Sequence, residues 1–384
     1  MAGEQKQKQK RKKHYYDYSL VFAIVFLTAF GLLMIYSSSS YTAEISAKTH
    51  DAAYYMKRQG FFALIGFALM AIISHIDYHK IIRFALPLYI LSYMLMIAVS
   101  MFGRVVNGKR RWLGIGSFSF QPTEFAKIAL IIFLAVYIAN MGKEINTMKG
   151  IFRVFLLDIP IAGLVAANNL SSGVIIFGLA LVMTFVASRQ RFFYAAFVAL
   201  CAAGAFFAQP VAKLLRNVGV LKGYQLSRIL VWENPAAYPQ DGGYQVLQGL
   251  YAIGSGGVIG KGLGESIQKM GFVPEAQNDM IFAIICEELG LFGAVSIILV
   301  FMFMIYRFIM IANSAPDLYG SMLVVGVMAH IAIQVILNIA VVTNLIPNTG
   351  ITLPFISYGG TSVFFLMMEM GLVLSVSRRI RLDY

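Results

Sequence analysis

Stretches of about twenty apolar residues recur along this chain, each long enough to cross a bilayer as a helix. "YSLVFAIVFLTAFGLLMIY" and "LYGSMLVVGVMAHIAIQVILNIAVV" are typical, and neither holds an Asp, Glu, Lys or Arg. In lipid every backbone N–H and C=O must be satisfied internally, and continuous apolar runs fit helices, whereas barrel strands would alternate. Of 384 residues, 59% are hydrophobic and 13% charged, a balance that excludes a water-soluble globular domain.

Hydropathy predicts ten spans, near residues 17–37, 57–75, 82–102, 122–140, 152–168, 172–188, 192–209, 279–307, 318–343 and 362–378. The run 152–188 is nearly twice what a bilayer needs, so "NNLSS" at 168–172 reads as a break between two spans. The expected fold class is an all-α integral membrane protein of about ten transmembrane helices. An even number of crossings puts both termini on one side. Residues 1–14 form a basic tail and 15–384 a single membrane domain. A signal peptide would have a shorter apolar core, so the first span is expected to be retained. Cys201 and Cys286 sit in apolar runs and read as packing residues.

With the tail in the cytoplasm, the inner segments hold 17 of the 31 Lys and Arg, including the short turns "SRQRFF" and "SRRIRLDY". Both termini are therefore placed in the cytoplasm. The formal charge of +13 then reflects membrane topology and a tail drawn to anionic lipid, and does not point to nucleic acid. The outer positives still exceed what that bias favours. Arg104, Lys109, Arg110 and Arg111 crowd "GRVVNGKRRWLGIG", and Lys213, Arg216, Lys222, Arg228, Lys261 and Lys269 dot the large extracytoplasmic segment 210–278. A phosphate or pyrophosphate headgroup would favour such clusters, because Arg forks and Lys charges match its oxygens. The middle of that segment, Val246 to Ile259, is apolar enough to lie in the interface or re-enter protein-lined membrane. "GSGGVIGKG" is no phosphate-binding P-loop: Ser255 replaces the first required glycine and Gly262 the Ser/Thr.

Ionisable residues inside spans cost a few kcal/mol and default to paired or functional roles. Glu124 and Lys127 in "QPTEFAKIAL" stand i,i+3 on one helix face, where either an ion pair or a direct chemical role suits them. Pro122 fits that helix's first turn. Asp279 opens the eighth span at matching depth. It either caps that helix, as Asn278 could equally, or serves as a partly desolvated carboxylate near a base's working range. Glu287 and Glu288 lie two to three turns deeper and read as interhelical partners. His330, Gln334 and Asn338 form an i, i+4, i+8 stripe suited to interhelical hydrogen bonding. The last outer loop, "NLIPNTGITLPFISYGGTS", is stiffened by Pro347 and Pro354 and bends at Gly359-Gly360, offering Phe355 and Tyr358 to a lipid or sugar face. No Cys/His cluster has zinc spacing, so no resident metal site is expected.

Over essentially its full length the chain resembles the SEDS family (FtsW, RodA and SpoVE). The motifs are "NGKRRWLGIGSFSFQPTEFAK", "GYQVLQGLYAIGSGGVIGKGLGESIQKMGFVPEAQNDMIFAIICEELG" and "PNTGITLPFISYGGTS". "ITLPFISYGG" looks closer to the FtsW and SpoVE branch than to RodA. The resemblance implies a ten-helix peptidoglycan glycosyltransferase of the bacterial cytoplasmic membrane that polymerises lipid II at the outer face. It would work with a class B penicillin-binding protein, among other divisome or elongasome membrane proteins and membrane lipids. The family's essential aspartate falls on Asp279, its acid–lysine pair on Glu124 and Lys127, and its basic-aromatic loop on Arg110, Arg111 and Trp112. Lys269 and Tyr358 complete the candidate substrate-binding set. Gln277-Asn278 stands where many relatives have His-Thr or His-Ser, and Ala167-Asn168-Asn169 replaces the usual Gln-Pro-Asp.

For such a reaction Asp279 would be the base for the acceptor sugar's C4 hydroxyl. The lipid pyrophosphate is a weak base and needs charge stabilisation, which Arg110, Arg111, Lys127 or a divalent cation (Mg or Mn) could supply. No other cofactor is expected. A lipid II transporter using Glu287, Glu288 and His330, or an inactive scaffold for a penicillin-binding protein, are the rival expectations.

Overall fold

A computed structural model describes residues 15–46, 50–106, 109–115, 118–207, 223–239 and 242–381. The basic tail and Lys213, Arg216 and Lys222 lie outside them. The apolar runs form α1 (Tyr18–Ile45), α2 (Tyr54–His75), α3 (Ala85–Phe102), α4 (Pro122–Met141), α5 (Met148–Asn168), α6 (Leu170–Ala187) and α7 (Arg191–Phe206). After α8 (Gly223–Glu233) and α9 (Gly243–Gly256) come α10 (Ile281–Asn313), α11 (Leu318–Val342) and α12 (Thr361–Ser377). Among the described residues, eight helical stretches are long and apolar enough to cross a membrane, while α7 and α12 supply shorter apolar helices. Among the described residues, each of the ten expected segments thus contains a helix.

Local chemistry sets the boundaries. Asp17 caps α1 by accepting from the Leu20 N–H at 2.9 Å, Thr147 caps α5 from Gly150, and Asp317 caps α11 from Gly320. Pro122 occupies the first turn of α4, where its missing N–H costs nothing. Asn169 is extended (φ −148°, ψ 98°) and splits 152–188 into α5 and α6. α4 and α11 are the most enclosed spans, and α11 packs against α4, α6 and α10. The first and last described residues meet: the Tyr15 N–H donates to Ile380 O and the Asp17 N–H to Ser377 Oγ. That is the geometry an even number of crossings requires.

Two features depart from a purely helical expectation. The basic loop is a three-stranded antiparallel sheet, β1 (Arg104–Val106), β2 (Lys109–Ile115) and β3 (Phe118–Phe120), with Arg104 opposite Trp112 and Leu113 opposite Phe120. It stands on the outer ends of α3 and α4. In the long segment before α10, α9 packs along α10, and the turn after it inserts at a break in that helix. There the N–H groups of Lys261 and Gly262 donate to the carbonyls of Glu287 and Glu288, and those of Leu291 and Phe292 to the carbonyls of Gly257 and Val258. Gly290 makes the break possible with φ 66° and ψ −165°, which a side chain would strain. Nine residues of helix place this junction about 13 Å below the start of α10.

Candidate active-site cavity

The first turns of α2, the α3–α4 sheet, the α5–α6 break, the described part of the segment before α10 and the α11–α12 loop converge at the end of the bundle opposite Tyr15 and Ile380. They enclose a cavity of about 1400 Å³. Its walls carry six cations (Arg58, Arg104, Arg110, Arg111, Lys127, Arg228) against three carboxylates (Glu124, Glu275, Asp279), an excess of three positive charges. A low-dielectric pocket with that balance concentrates anions.

Asp279 immediately precedes the α10 cap residue Met280, whose own side chain makes no cap bond. The capping alternative is therefore not realised, and the carboxyl faces the cavity instead. Oδ2 lies 3.7 Å from where a Gly350 Cβ would stand, so the opposite wall is backbone. The side chain is only partly exposed because it meets a hemmed-in cavity rather than bulk water. That burial pushes its pKa from 3.8 up to about 7, with Glu275 adding to the rise and Arg228 opposing it. Asn278 donates to Glu275 beside it. No histidine lines the described walls, in keeping with Gln277-Asn278 in the sequence.

Glu124 and Lys127 are paired at 2.9 Å, both buried and both on the cavity wall. Arg110 reaches back to the carbonyls of Ser100 (3.0 Å) and Met101 (2.6 Å), a cation on the negative end of α3. That bond orients β2, and with it Arg111 and Trp112, over the cavity. Tyr358 lines it too, standing edge-on to Tyr55 with ring centroids 4.9 Å apart. Its N–H donates to Gln277 O, which joins the last outer loop to the segment bearing Asp279. That loop is fixed on its other side by Gln59, which accepts from the Gly359 and Gly360 N–H groups, and by Ser171, which donates to Thr349 O. At the α5–α6 break, Asn168 and Asn169 bring amides where the resemblance led one to look for a carboxylate; Asn168 donates to Ser100 Oγ at 2.6 Å.

The structure corrects two expectations. Lys269 does not reach the cavity: its ammonium is buried against Glu288 Oε1 (2.8 Å), Ser37 Oγ (2.9 Å) and Gly264 O (2.6 Å), under the turn after α9. A cation that deep is held by a counter-charge rather than left for a ligand. Phe355 is 1% exposed, packed on α1 at Gly31, and offers nothing to a substrate. Glu287 and Glu288 are partners as expected, but of Lys261, Ser266, Lys269 and Ser37. His330 pairs with Glu369 at 2.7 Å across α11 and α12. Arg58, Gln245 and Glu275 were not singled out from sequence. Arg58, a cation at the outer end of the second span, carries the same against-the-bias signal that marked the basic loop.

Three comparisons bear on this arrangement. The family model for FtsW, RodA and SpoVE, described as cell cycle protein, matches residues 18–382. Stage V sporulation protein E of Bacillus subtilis (strain 168) is 40% identical over 379 residues, covering 96% of this chain and 98% of that protein. A probable peptidoglycan glycosyltransferase FtsW from Geobacter sp. (strain M18) is 35% identical, covering 97% and 99%. Among solved structures, a chain from a peptidoglycan synthase complex, solved for its coordination of polymerization and crosslinking, superposes with a TM-score of 0.77 at 27% identity. That match covers 96% of this chain and 99% of the other. Since the family match starts at the first residue of α1 and runs to within two residues of the chain's end, this chain belongs to the FtsW, RodA and SpoVE family.

Proposed function

We propose that this chain is a peptidoglycan glycosyltransferase of the bacterial cytoplasmic membrane, polymerising lipid II at the outer face in division or a related septal process. The name of the Geobacter FtsW relative supports the activity. The observation that carries the site is one carboxyl poised near pH 7 in a cavity where cations outnumber carboxylates six to three. The acceptor's C4 oxygen attacks the donor's anomeric carbon as the bond from that carbon to the lipid pyrophosphate breaks. Asp279 takes the hydroxyl proton, which a group with pKa about 7 can accept and release at neutral pH. Single displacement turns an α-linked donor into a β-linked glycan and needs one carboxylate, unlike the two-carboxylate hydrolases. The departing diphosphate is met by fixed charges, Arg110 and Arg111 from β2 and Lys127 from α4. Glu124 holds the Lys127 ammonium in place, while Trp112 and Tyr358 lie against sugar or lipid.

Among the described residues no group of three or more His, Cys, Asp or Glu side chains could hold a metal. A divalent cation needs only one or two carboxylates beside phosphate oxygens, so one brought with the diphosphate would add its charge to that of Arg110, Arg111 and Lys127. The likeness to the synthase complex supports a penicillin-binding protein as partner, of class B in this reading. The groups a transporter would need, Glu287, Glu288 and His330, are each paired away from the cavity.

The purified chain with its transpeptidase partner is expected to convert labelled lipid II to glycan polymer. Vesicles that move labelled lipid II across the bilayer without polymerising it would favour a transporter. Arg110→Ala with Arg111→Ala is expected to raise the apparent KM for lipid II, and an unchanged KM would remove those residues from the substrate site.

A further inference from the structure

The polar stripe of α11 is left over by this mechanism, and one member touches the acid's own peptide. Asn338 is fully buried, and its Nδ2 donates twice: to the main-chain oxygen of Asp279 at 2.9 Å and to that of Ile351 at 2.7 Å. Its Oδ1 has no hydrogen-bond partner, so the contacts described here draw on the two N–H groups alone. One amide therefore ties the residue carrying the carboxyl to the backbone wall across from it, where Gly350 faces Oδ2. Neighbouring bonds hold that wall without touching Asp279: Gln334 Nε2 donates to Thr352 O at 3.0 Å and Ser171 Oγ to Thr349 O at 2.7 Å. Asp279 itself lies outside α10, two residues before Ile281, so the helix does not fix its side-chain direction.

We propose that Asn338 is the positioning residue for Asp279, setting the distance between its carboxyl and the Gly350 wall against which the acceptor hydroxyl is held. The inference rests on Asp279 being the base. Without the amide the chain still folds around Gln334 and Ser171, but the acid's peptide is free to turn. Displacements of about 1 Å at a reacting group cost on the order of a hundredfold in rate.

Native protein, Asn338→Leu, Asn338→Asp and Asp279→Asn, each purified with the transpeptidase partner, are compared for polymerisation across lipid II concentrations. Leu keeps the volume and removes both donors. Asp keeps the shape but can donate at most one hydrogen bond, so it cannot tie both carbonyls at once. Both Asn338 variants are expected to lose about 10- to 100-fold in kcat, with KM within about twofold of native. The loss should exceed any fall in folded fraction measured by gel filtration and thermal unfolding. A native kcat in either variant, a change confined to KM, or a loss equal to the unfolded fraction would overturn the positioning role. Should Asn338→Leu fail to accumulate, Asn338→Asp decides alone. Polymerisation at the native rate by Asp279→Asn would instead sink the base assignment. An inactive Asp279→Asn beside fully active Asn338 variants would sink only the present inference.

Discussion

Replacing Lys269 by Met separates a structural cation from a substrate-binding one. The Lys269 ammonium and the Glu288 carboxylate, 2.8 Å apart, are 6% and 0% exposed, and Ser37 Oγ bonds to both. Met keeps the length and apolar stem but leaves Glu288 with Ser37 as its sole bond to Oε1 among those described. Removing one partner of a buried pair costs about 3–5 kcal/mol, because a desolvated charge stays behind uncompensated. At about 2 °C per kcal/mol for a larger chain, the apparent Tm should fall by about 6–10 °C. Unfolding of the purified protein in detergent at a fixed scan rate reads this, since such transitions are often irreversible. Lys269→Met with Glu288→Met should recover most of the loss, because well-packed apolar groups replace a buried pair at little cost. The KM of the surviving folded protein should match native. An unchanged Tm together with a raised KM would refute the reasoning and return Lys269 to the substrate.

Other perturbations probe the loop and the acid. Gly31→Ala would set a Cβ 2.5 Å from Phe355 O and 2.7 Å from Ile356 Cα, both backbone atoms. It should cost about 1–3 kcal/mol as over-packing, seen as a lowered apparent Tm, and a Tm equal to native would refute that packing. The polymerisation rate should rise with pH, reach half its maximum near pH 7 and stay flat above, because the base must be unprotonated and burial holds its pKa near that value. A limb near 4 would mean the site is fully hydrated. Raising a carboxyl's folded pKa above its unfolded 3.8 removes stability as pH rises toward about 7. Asp279→Asn should therefore unfold at a higher temperature than native at pH 8 and lose the advantage near pH 4. The ceiling is about 4 kcal/mol, from about 1.4 kcal/mol per pH unit between the two values, reduced by the water the cavity admits.

What could be seen in advance depended on the range of the interaction. Spans were legible because twenty apolar residues leave the chain one solution in lipid, and the Asn169 break because one helix could not use so long a run. Glu124 and Lys127 were legible as a pair because helical periodicity alone brings i and i+3 together. The β-meander of residues 104–120 was not legible from their charge, which marks a ligand preference but no backbone geometry. The turn-forming dipeptides Asn107-Gly108 and Gly116-Ser117 were the available signal. Lys269 and Phe355 were misjudged for a different reason. Each is buried by a partner from a remote element, Ser37 and Gly31 on α1 among them, which no local pattern encodes. Arg58 joins the cavity only because α2 begins beside the last outer loop.

The central claim is that Asp279 does the proton chemistry while the surrounding cations hold the substrate. The most direct test measures glycan polymer formed from labelled lipid II by Asp279→Asn, beside lipid II binding by the same folded preparation at pH 8. The account predicts binding equal to native with no detectable polymer. Polymer at the native rate, or lipid II binding lost along with it, would contradict the account.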